Sequence, residues 1–142
     1  MSCSIGTVFR NNTTIVNFNQ LRYFESVTQI DSYAFGYCSN LEYVKFPPKL
    51  TKIVQRAFIY CTKIRLFDLP ATVYSLESAC FNNCTFTLIV RRATPFSIGA
   101  EALKYNTVIA IYVPDDSVDA YKAYANWSFH ASKIKPLSQY TG

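Results

Sequence analysis

Three of the five cysteines, Cys38, Cys61 and Cys84, are evenly spaced, at a 23-residue interval. A disulfide framework or a metal site has no reason to keep so long and regular an interval, whereas a structural repeat does. The same offset carries through the neighbouring positions. Ile30, Ile53 and Leu76 open each copy, and Ala34-Phe35, Ala57-Phe58 and Cys80-Phe81 follow. Leu41 matches Ile64, Val44 matches Phe67 and Val90, Phe46-Pro47 matches Leu69-Pro70, and Leu50 matches Val73. Two full copies span 30–52 and 53–75. The third keeps its first half and then departs, with Thr87 and Arg92 where apolar residues are expected, so the array is expected to end near Val90.

In a stacked array each apolar repeat position is buried by its own copies above and below. Leu41-x-x-Val44-x-Phe46 and Ile64-x-x-Phe67-x-Leu69 have the L-x-x-L-x-L spacing that forms one short strand per turn of a leucine-rich-repeat coil. The expected fold class is a leucine-rich-repeat-like right-handed solenoid, β-rich with short helical or 3-10 turns. About three 23-residue rungs over 30–95 would be closed by an N-terminal cap at 1–29 and a C-terminal module at 96–142, all in one structural unit. The cysteine column then needs no chemistry, because a thiol packs as a small hydrophobe; oxidation between neighbouring rungs is the alternative. Cys80 takes the column of Ala34 and Ala57, where size qualifies it. Cys3 lies outside the register and is expected to be an exposed thiol.

Pro47 and Pro70 lack the N–H that a strand ladder needs and should stop each strand at the same height. With Val44 and Phe46 pointing inward, Tyr43 and Lys45 point out. The period carries these outward positions to Leu66 and Asp68, then to Ile89 and Arg91. Lys45, Asp68 and Arg91 should form a ladder of alternating charge beside the apolar column Tyr43, Leu66, Ile89. These six residues are the candidate interaction face, unless the chain ends cover the apolar column.

Composition narrows the function. Half of the 142 residues are apolar and 23 are Phe, Tyr or Trp, so the chain folds on hydrophobic burial. Four glycines and one histidine leave little for a phosphate cradle or a His-based constellation. The net charge of +5 is spread along the chain, with Arg91-Arg92 the longest basic run, which argues against nucleic acid. No run approaches the roughly 20 apolar residues of a transmembrane helix, and Met1 to Phe9 is too short for the apolar core of a signal peptide.

The ends read differently from the middle. Thr7-Val8-Phe9 and Thr13-Thr14-Ile15-Val16, joined by Arg10-Asn11-Asn12, suggest a hairpin. Asn17-Phe18-Asn19-Gln20 has capping-box spacing and predicts a short helix; because Phe18, Leu21 and Tyr23 fall one repeat interval before Leu41, Val44 and Phe46, a degenerate first rung competes with it. After the array, Thr107 to Val113 predicts a strand, and Val118, Tyr121 and Ala125 keep helical spacing behind Asp115, Asp116 and Asp119. Trp127 and Phe129 are expected to pack on the last rung, and a segment near Ile134 to Leu137 to return to the body.

No catalytic constellation can be assembled. His130 has no Cys, Asp or Glu at short spacing and reads as structural or surface. The Asp115, Asp116, Asp119 cluster lacks the Gly and distal Glu of a calcium loop, and no serine lies in a G-x-S-x-G context. No cofactor, metal or enzymatic activity is expected.

The pattern Ile30-x3-Ala34-Phe35-x2-Cys38-x2-Leu41-x2-Val44-x-Phe46-Pro47, with its copy from Ile53 to Pro70, resembles the BspA-like leucine-rich repeats of bacterial surface proteins in gut and oral Bacteroidetes. The segment Ile111 to Lys122, with Trp127 and Ala131-Ser132-Lys133-Ile134, is similar to the closing module of that family; together the two cover about 18–137. The resemblance implies secretion or cell-surface display, a non-enzymatic role, and in some members adhesion to host matrix proteins. The partners it suggests are host, matrix or other surface proteins. The array is short for the family, which curtails the surface that longer members offer, and a structural spacer without a dedicated ligand is the competing reading.

Overall fold

Short strands follow one another along the chain: β1 (Asn17–Phe18), β2 (Gln29–Ile30), β3 (Tyr43–Val44), β4 (Lys52–Ile53), β5 (Leu66–Leu69), β6 (Ser75–Leu76), β7 (Thr85–Val90), β8 (Thr107–Val113) and β9 (Ile134–Pro136). The structure is a computed structural model that describes residues 5–142, and Cys3 lies outside them. The repeat positions meet in space. β2, β4 and β6 form a parallel sheet in which Ile30 lies beside Ile53 and Ile53 beside Leu76, each one repeat on. On the other wall β1 pairs with β3, and β5, β7, β8 and β9 make a second parallel sheet in that order. Copies that retrace one path place their strands side by side in one direction, which is why the named pairings are parallel.

Between the walls the repeated phenylalanines stack. Phe35 lies 5.1 Å from Phe58, and Phe58 lies 6.0 Å from Phe81. All three are fully buried, each contributing about 1.5 to 3 kcal/mol by burial. The turns use two left-handed residues per copy. Tyr33, Arg56 and Ala79 occupy one such column and Tyr37, Tyr60 and Asn83 the other, with φ between 58° and 62°. That twist aims main-chain donors at the next copy: the N–H of Phe35 reaches the carbonyl of Ala57 at 2.9 Å, and that of Phe58 reaches Cys80 at 2.9 Å.

The cysteine column is buried, and it does more than fill space. Cys38 donates to the carbonyl of Phe9 at 3.0 Å, Cys61 to Phe35 at 3.0 Å and Cys84 to Phe58 at 3.1 Å. Each thiol thus satisfies a carbonyl of the preceding copy. All four described cysteines are free.

The N-terminal segment corrects the expected hairpin. Residues 5–27 lie parallel to the next copy: Asn17 pairs with Tyr43 and Phe18 with Val44, and Phe9 stacks on Phe35 at 5.4 Å. The spacing here exceeds the sequence register by three at both Phe9 and Asn17 and returns to the repeat interval at Gln29, so the extra residues lie between Phe18 and Gln29, in the segment that holds the 3-10 turn Asn19–Tyr23. The short helix forms as a 3-10 turn, Asn19–Tyr23, without a side-chain cap. Asn17 instead accepts from the N–H of Asn19 two residues on, since strand pairing holds it outside the helix.

The periodic path also runs past Val90. Gly99 donates to Leu76, Asn83 to Tyr105 and Thr107 to Cys84, so a further copy is laid down at spacings of 22 and 23. It ends in a 3-10 turn at Asp115–Ser117, the helix α1 (Val118–Ala123) and β9, which pairs with β8. Helical order stops before Ala125, which is exposed. Trp127 is buried, its indole N–H bonded to the carbonyl of Phe96 at 2.8 Å, whereas Phe129 is 79% exposed and does not join the core. The turn Ser128–Lys133 that carries Phe129 contributes no buried residue. No described helix is long and apolar enough to cross a membrane.

Candidate interaction surface

The split between β3 and β5 falls inside the expected interaction face. A strict repeat would pair these strands, yet each joins a different sheet and no backbone hydrogen bond links residues 43–46 to 65–69. Two features oppose pairing: Pro47 and Pro48 remove consecutive donors where β3 would continue, and the ring of Phe46 is wedged between Phe58 and Phe67, at 5.8 and 6.4 Å. The opening is a cleft of about 250 Å³ lined by Tyr43, Val44, Lys45, Phe46, Asp68, Pro70 and Arg91.

Four of the six expected residues therefore come together. Tyr43 is exposed at the rim, and Lys45 is exposed and makes no ion pair among the described residues. Arg91 grips Asp68 with two hydrogen bonds, Nε to Oδ1 at 2.7 Å and Nη2 to Oδ2 at 2.9 Å. The Asp68 carboxylate holds the Arg91 guanidinium above its ordinary pKa. Both side chains are largely solvated, so the pair contributes about 0 to 1 kcal/mol and serves chiefly to fix the two groups relative to each other. The upper half of the charge ladder is formed; Lys45 is left free to meet a partner's charge.

The apolar column departs from expectation. Leu66 is half-buried, and Ile89 is only 1% exposed. β5 and β7 pair at a 21-residue spacing, placing Thr87 beside Leu66 and Ile89 beside Asp68. On its other side Ile89 adjoins Tyr112, whose ring lies 5.1 Å from Tyr140, so the C-terminal segment lies over this part of the wall. The departure at Thr87 and Arg92 was the visible sign of the shortened copy. Phe46 and Pro70, assigned only structural roles by the sequence, turn out to line the cleft.

Other hollows occur. A groove of about 550 Å³ passes Gln55, Tyr74, Glu77, Ser78 and Ser97, but Glu77 is already tied to Lys52 at 2.7 Å and to the N–H of Gln55. A more apolar hollow of about 500 Å³ lies among Ala100, Lys104, Phe129 and His130. Burial, and then the nearby Lys133, hold the His130 imidazole below its ordinary pKa.

The sequence matches the family model described as BspA type leucine rich repeat region, in six copies over residues 6–135. A search of curated proteins finds no match for the chain.

Proposed function

We propose that this chain, which belongs to the BspA-type leucine-rich repeat family, is a non-catalytic interaction module that binds another protein at the break between β3 and β5. Repeats of this kind are protein-interaction modules, and the stacked copies are read as about three core rungs of a right-handed solenoid with closing segments at its ends. The observation that carries the reading is the cleft itself, where main-chain groups of two strands are not satisfied by each other and Tyr43, Lys45, Asp68 and Arg91 stand around them. Its volume of about 250 Å³ is below the range of small-molecule sites, about 300 to 1,000 Å³, and suits one inserted side chain. An exposed Tyr beside a clamped Arg is the pairing that protein interfaces favour.

Display on the cell surface or secretion, with adhesion to matrix or other surface proteins, is the setting that fits this family. The test is binding of the purified chain to immobilised extracellular-matrix proteins and host glycoproteins. Tyr43→Ala combined with Leu66→Ala, and separately Lys45→Glu, should each weaken a measured interaction by about tenfold or more. Binding at the wild-type level in the double variant would sink this choice of face. No binding to any surface protein would favour a spacer without a ligand.

A further inference from the structure

We propose that a second copy of this chain docks on its N-terminal edge, giving a two-fold dimer in which β1 pairs antiparallel with β1 of the partner. The two ends of the structure are finished differently. At the C-terminal edge, β9 presents Lys135, exposed, and Pro136, which has no N–H; both are devices that stop a further strand from adding. At the other end, β1 is Asn17–Phe18, and among the described residues it has a strand neighbour on one side only. Neither lysine nor proline occurs in residues 5–27.

The side chains agree with the backbone. Among the described residues, four of the twelve large exposed hydrophobic side chains, Val8, Val16, Tyr23 and Phe24, fall within 17 consecutive positions of this terminal copy. They give this terminal copy more exposed apolar surface than its length would lead one to expect, surface that a partner could cover. The aromatic stack that links the copies continues into this end: Phe9 lies 4.8 Å from Phe18 and Phe18 lies 6.4 Å from Phe24, itself 45% exposed. A second copy would cover this end as each copy within the chain covers its neighbour, though in the opposite direction. Arg10, Arg22 and Glu25 are the only charged residues of 5–27, so although each chain carries +5, little of that charge stands at the contact.

Closure follows from the asymmetry. With the C-terminal edge blocked, head-to-tail addition between copies is unavailable, so of a second copy's two edges only the open one is left to pair; a two-fold contact of that kind ends at two chains. Analytical ultracentrifugation of the 142-residue chain over a wide concentration range should show a reversible monomer–dimer equilibrium that tightens with added salt, as screening reduces the repulsion between the two basic chains. Phe24→Glu or Val16→Lys should weaken dimerisation about thirtyfold or more, the loss expected at an interface hot spot. Ile109→Glu, on β8 and equally exposed to solvent, should leave dimerisation unchanged, and circular dichroism should show all three variants folded. A monomer at every concentration overturns the proposal. So do dimers that survive Phe24→Glu, or assembly beyond two chains.

Discussion

Each thiol of the Cys38, Cys61, Cys84 column holds a carbonyl of the preceding copy, so the sulfur links copies as well as filling space. Cys61→Ala should cost about 1 to 2 kcal/mol in urea unfolding, because it removes a buried thiol and one of the two donors to the carbonyl of Phe35, which keeps the N–H of Cys38 at 3.2 Å. Cys61→Ser should cost less, since a hydroxyl at the same place can still donate. Burial pushes the Cys38 thiol up to about 11 and the Cys84 thiol up to about 12, from an ordinary value of 9.0. The unfolded chain therefore loses these protons first as pH rises. Stability should be full below pH 9.0 and fall as pH climbs from there towards 11 and 12, and replacing both cysteines by alanine should flatten that slope in urea titrations at stepped pH. That these residues are interior was legible from their spacing, since only burial keeps a small apolar type at a fixed long period. Their donor role was not legible, because it depends on where a carbonyl of another copy falls.

Strand spacing varies along the chain, and the way it varies is constrained. β5 and β7 pair at a 21-residue spacing, where β4 and β6 keep the full repeat interval. The difference is two, the side-chain period of a strand, so Leu88 and Val90 still face inward beside Phe67 and Leu69; a difference of one would have turned the core outward. A strict comparison at the repeat interval could not detect this change, but Ile89 stands on the outward face beside Asp68 in either register, and cover by the segment of Tyr112 and Tyr140 is what buries it. The N-terminal copy escaped for a similar reason: three extra residues between Phe18 and Gln29, in the segment that holds the 3-10 turn, shift everything before them off the repeat interval. Turn geometry offers a sharper test. Ala79 sits at φ 59°, where a Cβ is crowded and glycine is not, so Ala79→Gly should raise stability by about 1 kcal/mol despite adding freedom to the unfolded chain. Gly99→Ala should do the reverse. A Cβ there would meet the backbone N of Ser78 at 2.6 Å and force two copies apart, costing about 1 to 3 kcal/mol in the same urea assay.

At the scale of the molecule, copies pack mainly on their neighbours, so stability is distributed along the stack and not held in one central core. Phe58 is in the middle of that stack, with ring contacts to Phe35, Phe46, Phe67 and Phe81. Phe58→Ala should cost about 3 to 5 kcal/mol, because both adjoining copies lose their packing. The closed end depends on Trp127, fully buried against Phe96 and Tyr121 at 5.4 and 5.1 Å. It is also the chain's single tryptophan. Its fluorescence is therefore a local gauge, reading the C-terminal closure and nothing of the edge at β1. If unfolding is all-or-none, indole emission and far-ultraviolet circular dichroism will trace the same curve; if the stack frays from its open end, ellipticity will fall while the tryptophan still emits from an apolar site.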